Sequence, residues 1–245
     1  MLNRKLGRKA IIKDSRTLRL ANYLVEALPP PPVSCDWTNG VTEWGMMAND
    51  RLGCCTIAAC GHGLQTWSAN AATEITVTDD DVLSYYEQWD GYNPQDPSSD
   101  NGGIEINVLT NWRNSGFANH KLIGFMSANV KNQTEIKTAI SMFGGVYIGV
   151  SLPMSAQSQM VWDISTGDAA IPGSWGGHAV FAVAYDDKTV TCITWGMLKK
   201  MTWAFWNTYC DEAYALLGQD WFNTTGVAPS GLKSDQLLAD LALIR

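Results

Sequence analysis

Two periods of apolar and polar positions run along this chain of 245 residues. From Cys55, the residues Thr56, Ile57, Ala58 and Ala59, continuing to Leu64 and Trp67, place apolar side chains at helical spacing. Asn49, Asp50 and Gly53 before them are turn and capping types, so a helix is predicted to begin at the cysteine. A second helix is predicted through Val82, Leu83, Tyr85 and Tyr86, with Asp79, Asp80 and Asp81 in the first turn, where negative charge suits the helix dipole. The run His178–Tyr185 is apolar without interruption and rich in β-forming residues. Bounded by Gly176, Gly177, Asp186 and Asp187, it is predicted to be a buried strand. The stretch from Thr202 to Leu217 has an apolar pattern that packs, and a closing helix is predicted from a serine cap at Ser234.

These elements place two reactive groups on rigid mounts. At a helix start, unpaired backbone N–H groups and the dipole stabilise a thiolate, and Cys55 is so placed. An imidazole able to take the thiol proton would lower its effective pKa further, and His178, at the mouth of the predicted strand, is the candidate. The pair is what thiol-based acyl transfer requires. Cys54 adjoins it as a second thiol, but the helix start favours Cys55.

The spacing around these residues resembles that of papain-like cysteine peptidases. Pro32, Val33, Ser34, Cys35, Asp36 and Trp37 match the start of the mature domain in that family, and Cys55 lies eighteen residues past Trp37, as the family's nucleophile does. The resemblance implies that Asn49, six residues before Cys55, supplies a shorter version of the family's oxyanion-hole amide, with the Cys55 backbone N–H as the other half. Asn101, Gly102 and Gly103 resemble the segment whose backbone pairs with extended substrate, and Gly177 and Trp195 take substrate-binding and shielding positions. Phe143 to Pro153 resembles the strand that precedes the histidine. Three positions depart from the pattern. Ile193 stands where the family has its catalytic asparagine, leaving the Thr194 hydroxyl or a backbone carbonyl to orient His178. Leu52 replaces a disulfide cysteine, and Cys54 replaces the usual serine.

Charge adds a further element. Residues 1–20 hold seven basic side chains against Asp14, a net of +6, so the remainder of a chain of net charge −7 carries −13. A basic arm on an acidic body is expected to lie on its own domain or on a protein partner; nucleic acid is disfavoured because the body would repel it. Four prolines, Pro29 to Pro32, give a stiff spacer. The arm is shorter than the family's pro-segments and is expected to be a strap or docking element rather than a removable inhibitor. No signal-like or membrane-spanning run occurs, and six cysteines are read as thiols, which together point to the cytoplasm. His62 lies too far along the helix from Cys55 for proton transfer, and His120 reads as a loop residue. The Cys54, Cys55, Cys60 and His62 cluster lacks zinc spacing, so no metal or cofactor is expected.

The resulting expectation is an α+β, papain-like fold of two subdomains, a helical half bearing Cys55 and an antiparallel β half bearing His178. It comprises a basic arm over 1–28 and one domain over 29–245 with a helical extension. The function expected is a cysteine-dependent hydrolase, a peptidase by resemblance, with Cys55, His178, Asn49 and Thr194 as its catalytic set and peptide or protein as substrate. Amidase, transglutaminase-like transfer and peptidoglycan cleavage use the same parts. The rival reading is a catalytically silent structural or binding protein, such as a phage virion or assembly component; an open cleft beside Cys55 favours the enzyme, a filled one the rival.

Overall fold

A computed structural model describes residues 4–23 and 30–235. The closing helix predicted from Ser234 falls almost wholly outside them. The first helix, α1 (Cys55–Ala71), begins at the cysteine and is buried from Cys55 through Ser68. A helix apolar on every side belongs inside a protein, and most polar side-chain groups of α1 find partners there, Gln65 Oε1 being an exception. Thr66 and Ser68 hydroxyls donate to the carbonyls of His62 and Leu64, and Gln65 donates to Glu43 O and to the Glu74 carboxylate. His62 is packed, with Nε2 2.9 Å from Gly45 O, and burial pushes its pKa down to about 4.

Helices α2 (Asp79–Asp90) and α3 (Glu105–Ser115) complete the helical half. The three aspartates do start α2: Thr78 and Asp81 form a reciprocal capping box, satisfying N–H groups that the helix leaves unpaired. Tyr86 of α2 donates its OH to Asp100, which also accepts the Gly53 N–H, while the Tyr86 oxygen accepts from Gly102 N–H. One network therefore fixes both the loop that enters α1 and the glycine segment opposite.

The β half is an eight-stranded sheet among the described residues. The strands are β1 (Leu18–Arg19), β2 (Cys35–Asp36), β3 (Leu122–Ser127), β4 (Val146–Leu152), β5 (Gly176–Tyr185), β6 (Thr189–Thr194), β7 (Met197–Thr202) and β8 (Cys210–Gly218). Their order is β1-β3-β8-β4-β5-β6-β7, with β2 paired to the end of β5; every pairing is antiparallel except β1 with β3. Strand β5 shows why its sequence is apolar throughout. Ala179, Phe181 and Val183 face the core shared with α1, while Val180 and Ala182 face a second core under α4 (Gln133–Phe143) and α5 (Trp203–Tyr209). The Thr202–Leu217 stretch thus splits into helix α5 and strand β8, a change of period that its unbroken apolar character conceals.

Trp67 joins the halves. Its ring lies 5.8 Å from those of Trp112 on α3 and Phe181 on β5, and its Nε1 donates to Phe143 O at 2.9 Å. Tyr147 on β4 adds a bond from its OH to Thr56 O at 2.9 Å, next to the cysteine. Trp67→Ala is expected to lower stability by about 3–5 kcal/mol, as for other buried aromatic deletions. Urea unfolding would measure this, and a loss under 1 kcal/mol would show that the halves are held together elsewhere.

Candidate active site

Cys55 is at the N-terminus of α1, and the backbone N–H of Ala179, the residue after His178, donates to its sulfur at 3.4 Å. The helix start and the mouth of β5 therefore meet. His178 is buried, with Nε2 2.7 Å from Thr194 Oγ1. Its Nδ1 has no hydrogen-bond partner among the described residues. The Thr194 hydroxyl thus occupies the orienting place left open by Ile193, whose own side chain points into the core with α1.

The Trp195 ring lies flat on His178, centroids 4.3 Å apart and planes 10° apart. This placement follows from the turn between β6 and β7. Thr194 pairs with Met197, leaving Trp195 and Gly196 as a two-residue hairpin with φ of 48° and 68°. Such a turn needs positive φ at both positions and matches strand twist. Holding tryptophan there costs roughly 1–3 kcal/mol, which the stack on His178 and the Nε1 bond to Lys5 O (3.1 Å) offset.

Residues 4–9 of the basic arm run through the cleft between the halves. Lys5 N–H donates to Asn49 O, Arg8 N–H to Gly177 O, Lys9 N–H to Gly103 O, and Gly103 N–H to Gly7 O. The predicted substrate-binding glycines Gly103 and Gly177 therefore pair with a peptide, and that peptide belongs to the same chain. Gly102 backs it, with φ of 74° and its Cα so near the strap that a Cβ would lie 1.7 Å from Gly7 O. Gly7 is equally confined: a Cβ there would lie 1.6 Å from Gly53 O. Its N–H lies toward the Cys55 sulfur, and its carbonyl accepts from Gly103 N–H. Asn49 is buried beside it, and its amide donates to Leu52 O (3.0 Å) and to Lys5 O (3.4 Å).

The seated strap reverses the expected ionisation. Burial pushes the Cys55 thiol up to about 12, against the opposing pull of the Ala179 and Gly7 N–H groups, and burial together with nearby Arg8 pushes His178 down to about 3. The helix start does not yield a thiolate here because no water reaches it. Cys54 is buried as well, with its thiol on Met47 O at 3.4 Å. His120 lies in the loop between α3 and β3, with Nδ1 2.8 Å from Asp220 Oδ1. All six cysteines are free thiols. Sequence reading missed Arg8, which meets the buried Glu105 and Glu212 and the partly exposed Asp211. The four residues are scattered over 200 positions and share no spacing.

No protein-family model matches the sequence, and no curated protein is significantly similar to it. Solved structures do match in shape. Xylellain, a cysteine protease from Xylella fastidiosa, superposes with a TM-score of 0.66 at 13% identity, over 88% of this chain and 96% of that one. Digestive procathepsin L 3 of Tenebrio molitor gives 0.55 at 11% identity over 88% and 76%, and the Carica candamarcensis protease CMS1MS2, in complex with E-64, gives 0.54 at 16% over 76% and 98%. The chain has the papain-like cysteine protease fold. No described helix is long and apolar enough to cross a membrane.

Two outcomes are expected. Gly7→Val cannot be accommodated under Gly53, so the strap is displaced and iodoacetamide modifies Cys55 at least about tenfold faster than in the parent, by peptide mass spectrometry. An unchanged rate would mean that the strap does not control access. A histidine whose pKa is depressed from 6.5 to about 3 withholds stability as pH falls below 6.5, because the unfolded chain takes up the proton and the folded one does not. The parent is therefore expected to lose stability relative to His178→Gln between pH 7 and pH 4 in paired denaturant titrations. Parallel curves would contradict this.

Proposed function

We propose that the protein is a cysteine-dependent hydrolase acting on peptide or protein chains, and that its N-terminal strap, expected from sequence to be structural rather than inhibitory, holds it off. The observation that carries the reading is the strap itself: a peptide lies across Cys55, its backbone held in a parallel bridge by Gly103 and bonded to Gly177 O, so the cleft takes a main chain. When it leaves, water and substrate reach the sulfur and the burial that raises the thiol is relieved. Cys55 attacks the carbonyl carbon and passes its proton to Nδ1 of His178. For this the imidazole must carry its resting proton on Nε2, donating to Thr194 Oγ1, which leaves the Nδ1 lone pair free. His178 then protonates the leaving amine. The Asn49 amide released from Lys5 O and the Cys55 N–H steady the oxyanion, and water cleaves the thioester.

The rival reading, a silent binding or structural domain, is favoured by the filled cleft and the neutral, buried thiol. The two readings part on reactivity once the strap is displaced. In the Gly7→Val chain, the hydrolase reading expects Cys55 alkylation to remain fast well below pH 8 and to lose that advantage in His178→Ala. Thr194→Val is expected to cut peptide hydrolysis by roughly ten- to a thousandfold while Cys54→Ser leaves it within about twofold. Ordinary thiol reactivity in the displaced chain, with or without His178, would leave the structural reading in its place.

A further inference from the structure

Arg8 is the residue after the one that covers Cys55, and its side chain is only 4% exposed. Its Nη1 lies 3.2 Å from Glu212 Oε2, its Nη2 2.8 Å from Asp211 Oδ2 and 3.3 Å from Ser151 Oγ, and its Nε 3.9 Å from Glu105 Oε1. The receptacle is built by the fold. Glu105 is the first residue of α3, Asp211 and Glu212 open β8, Ser151 is on β4, and the floor is Gly149, where a Cβ would come within 2.7 Å of Nη1. Tyr214 donates its OH to Glu212 Oε1 and Ser151 its OH to Asp211 Oδ2, fixing the carboxylates before any cation enters.

This group gathers more acidic side chains than one anchor requires. Three carboxylates face one guanidinium. Glu105 is wholly buried, neither of its oxygens has a hydrogen-bond partner among the described residues, and burial together with Glu212 pushes its carboxyl well above the carboxylate range. Without Arg8, Glu105 and Glu212 would stay buried with no cation beside them while Asp211 would face solvent, so a cation that fits regains the contacts Arg8 makes. Its three acidic contacts approach three different nitrogens, the geometry of a planar fork rather than of an ammonium. Among the described residues these carboxylates do not converge as a metal site.

We propose that this pocket is a side-chain subsite of the cleft and selects an arginine-bearing peptide, with Arg8 as its resident occupant. The inference rests on the cleft being a peptide-binding groove, and it deepens the proposed function by naming the substrate class. Glu105, Glu212 and Asp211 are then specificity residues that touch the substrate side chain. Arginine is preferred over lysine, and acidic or apolar residues are rejected at that position.

The test uses the full chain with Arg8→Ala, which empties the pocket and is independent of catalysis. At about ten times its Kd, ethylguanidinium is expected to raise the Tm of Arg8→Ala by roughly 3–5 °C while n-butylammonium at equal ionic strength does much less. Neither should move the parent, whose pocket is filled, and Glu212→Gln added to Arg8→Ala should remove the rescue. Equal shifts from both cations, or the same shift in the parent, would overturn the proposal. If Arg8→Ala does not fold, Arg8→Gln keeps two donors in the pocket and is titrated in its place with guanidinium itself. Hydrolysis of arginine and norleucine peptides by the Gly7→Val chain is measured alongside. Rescue without hydrolysis keeps the pocket and removes the enzyme; hydrolysis with no arginine preference and no rescue removes the pocket and keeps the enzyme.

Discussion

The site depends on a helix that is buried on all sides and begins where the two halves of the molecule meet. Because α1 is enclosed from Cys55 onwards, its N-terminus cannot drift, and Trp67 and Tyr147 lock it to the sheet that carries His178. Burial of apolar surface, which has no direction of its own, is here converted into position by a few directional bonds. The Tyr86–Asp100 network then sets the loop before Cys55 and the glycines across from it in the same step.

Occlusion governs the chemistry of the resting protein. A thiol at a helix start and an adjacent imidazole have the composition of a reactive pair, yet with the strap seated both are held neutral by the absence of water. The strap sets the Gly7 N–H toward the sulfur and gives the Gly7 carbonyl to Gly103. Its hold is electrostatic at Arg8 and steric at Gly7, where only a hydrogen fits beneath Gly53.

The absent asparagine shows how the fold keeps a polar contact to the histidine while changing the residue that makes it. With isoleucine turned into the core, the next side chain along β6 reaches His178, and a hydroxyl replaces an amide. The positive-φ turn that follows carries Trp195 over the ring and closes that side of the imidazole. A tryptophan in a conformation it disfavours is kept there because the stack and the bond to Lys5 need it.

The sequence by itself determined the local pieces. Helical spacing after Cys55, the aspartate-led start of α2 and the unbroken apolar run of β5 reflect interactions within a few residues or burial of a whole element, so they are written in adjacent positions. The register from Trp37 to Cys55 marked the thiol, and the break at Ile193 pointed to Thr194. What the tertiary structure alone decided depends on groups far apart in the chain: the strap's path over Cys55, the reversal of the thiol's ionisation, the His120–Asp220 pair and the acidic pocket around Arg8. Each arises when distant segments exclude water from one another, and no spacing along the chain records which segments will do so.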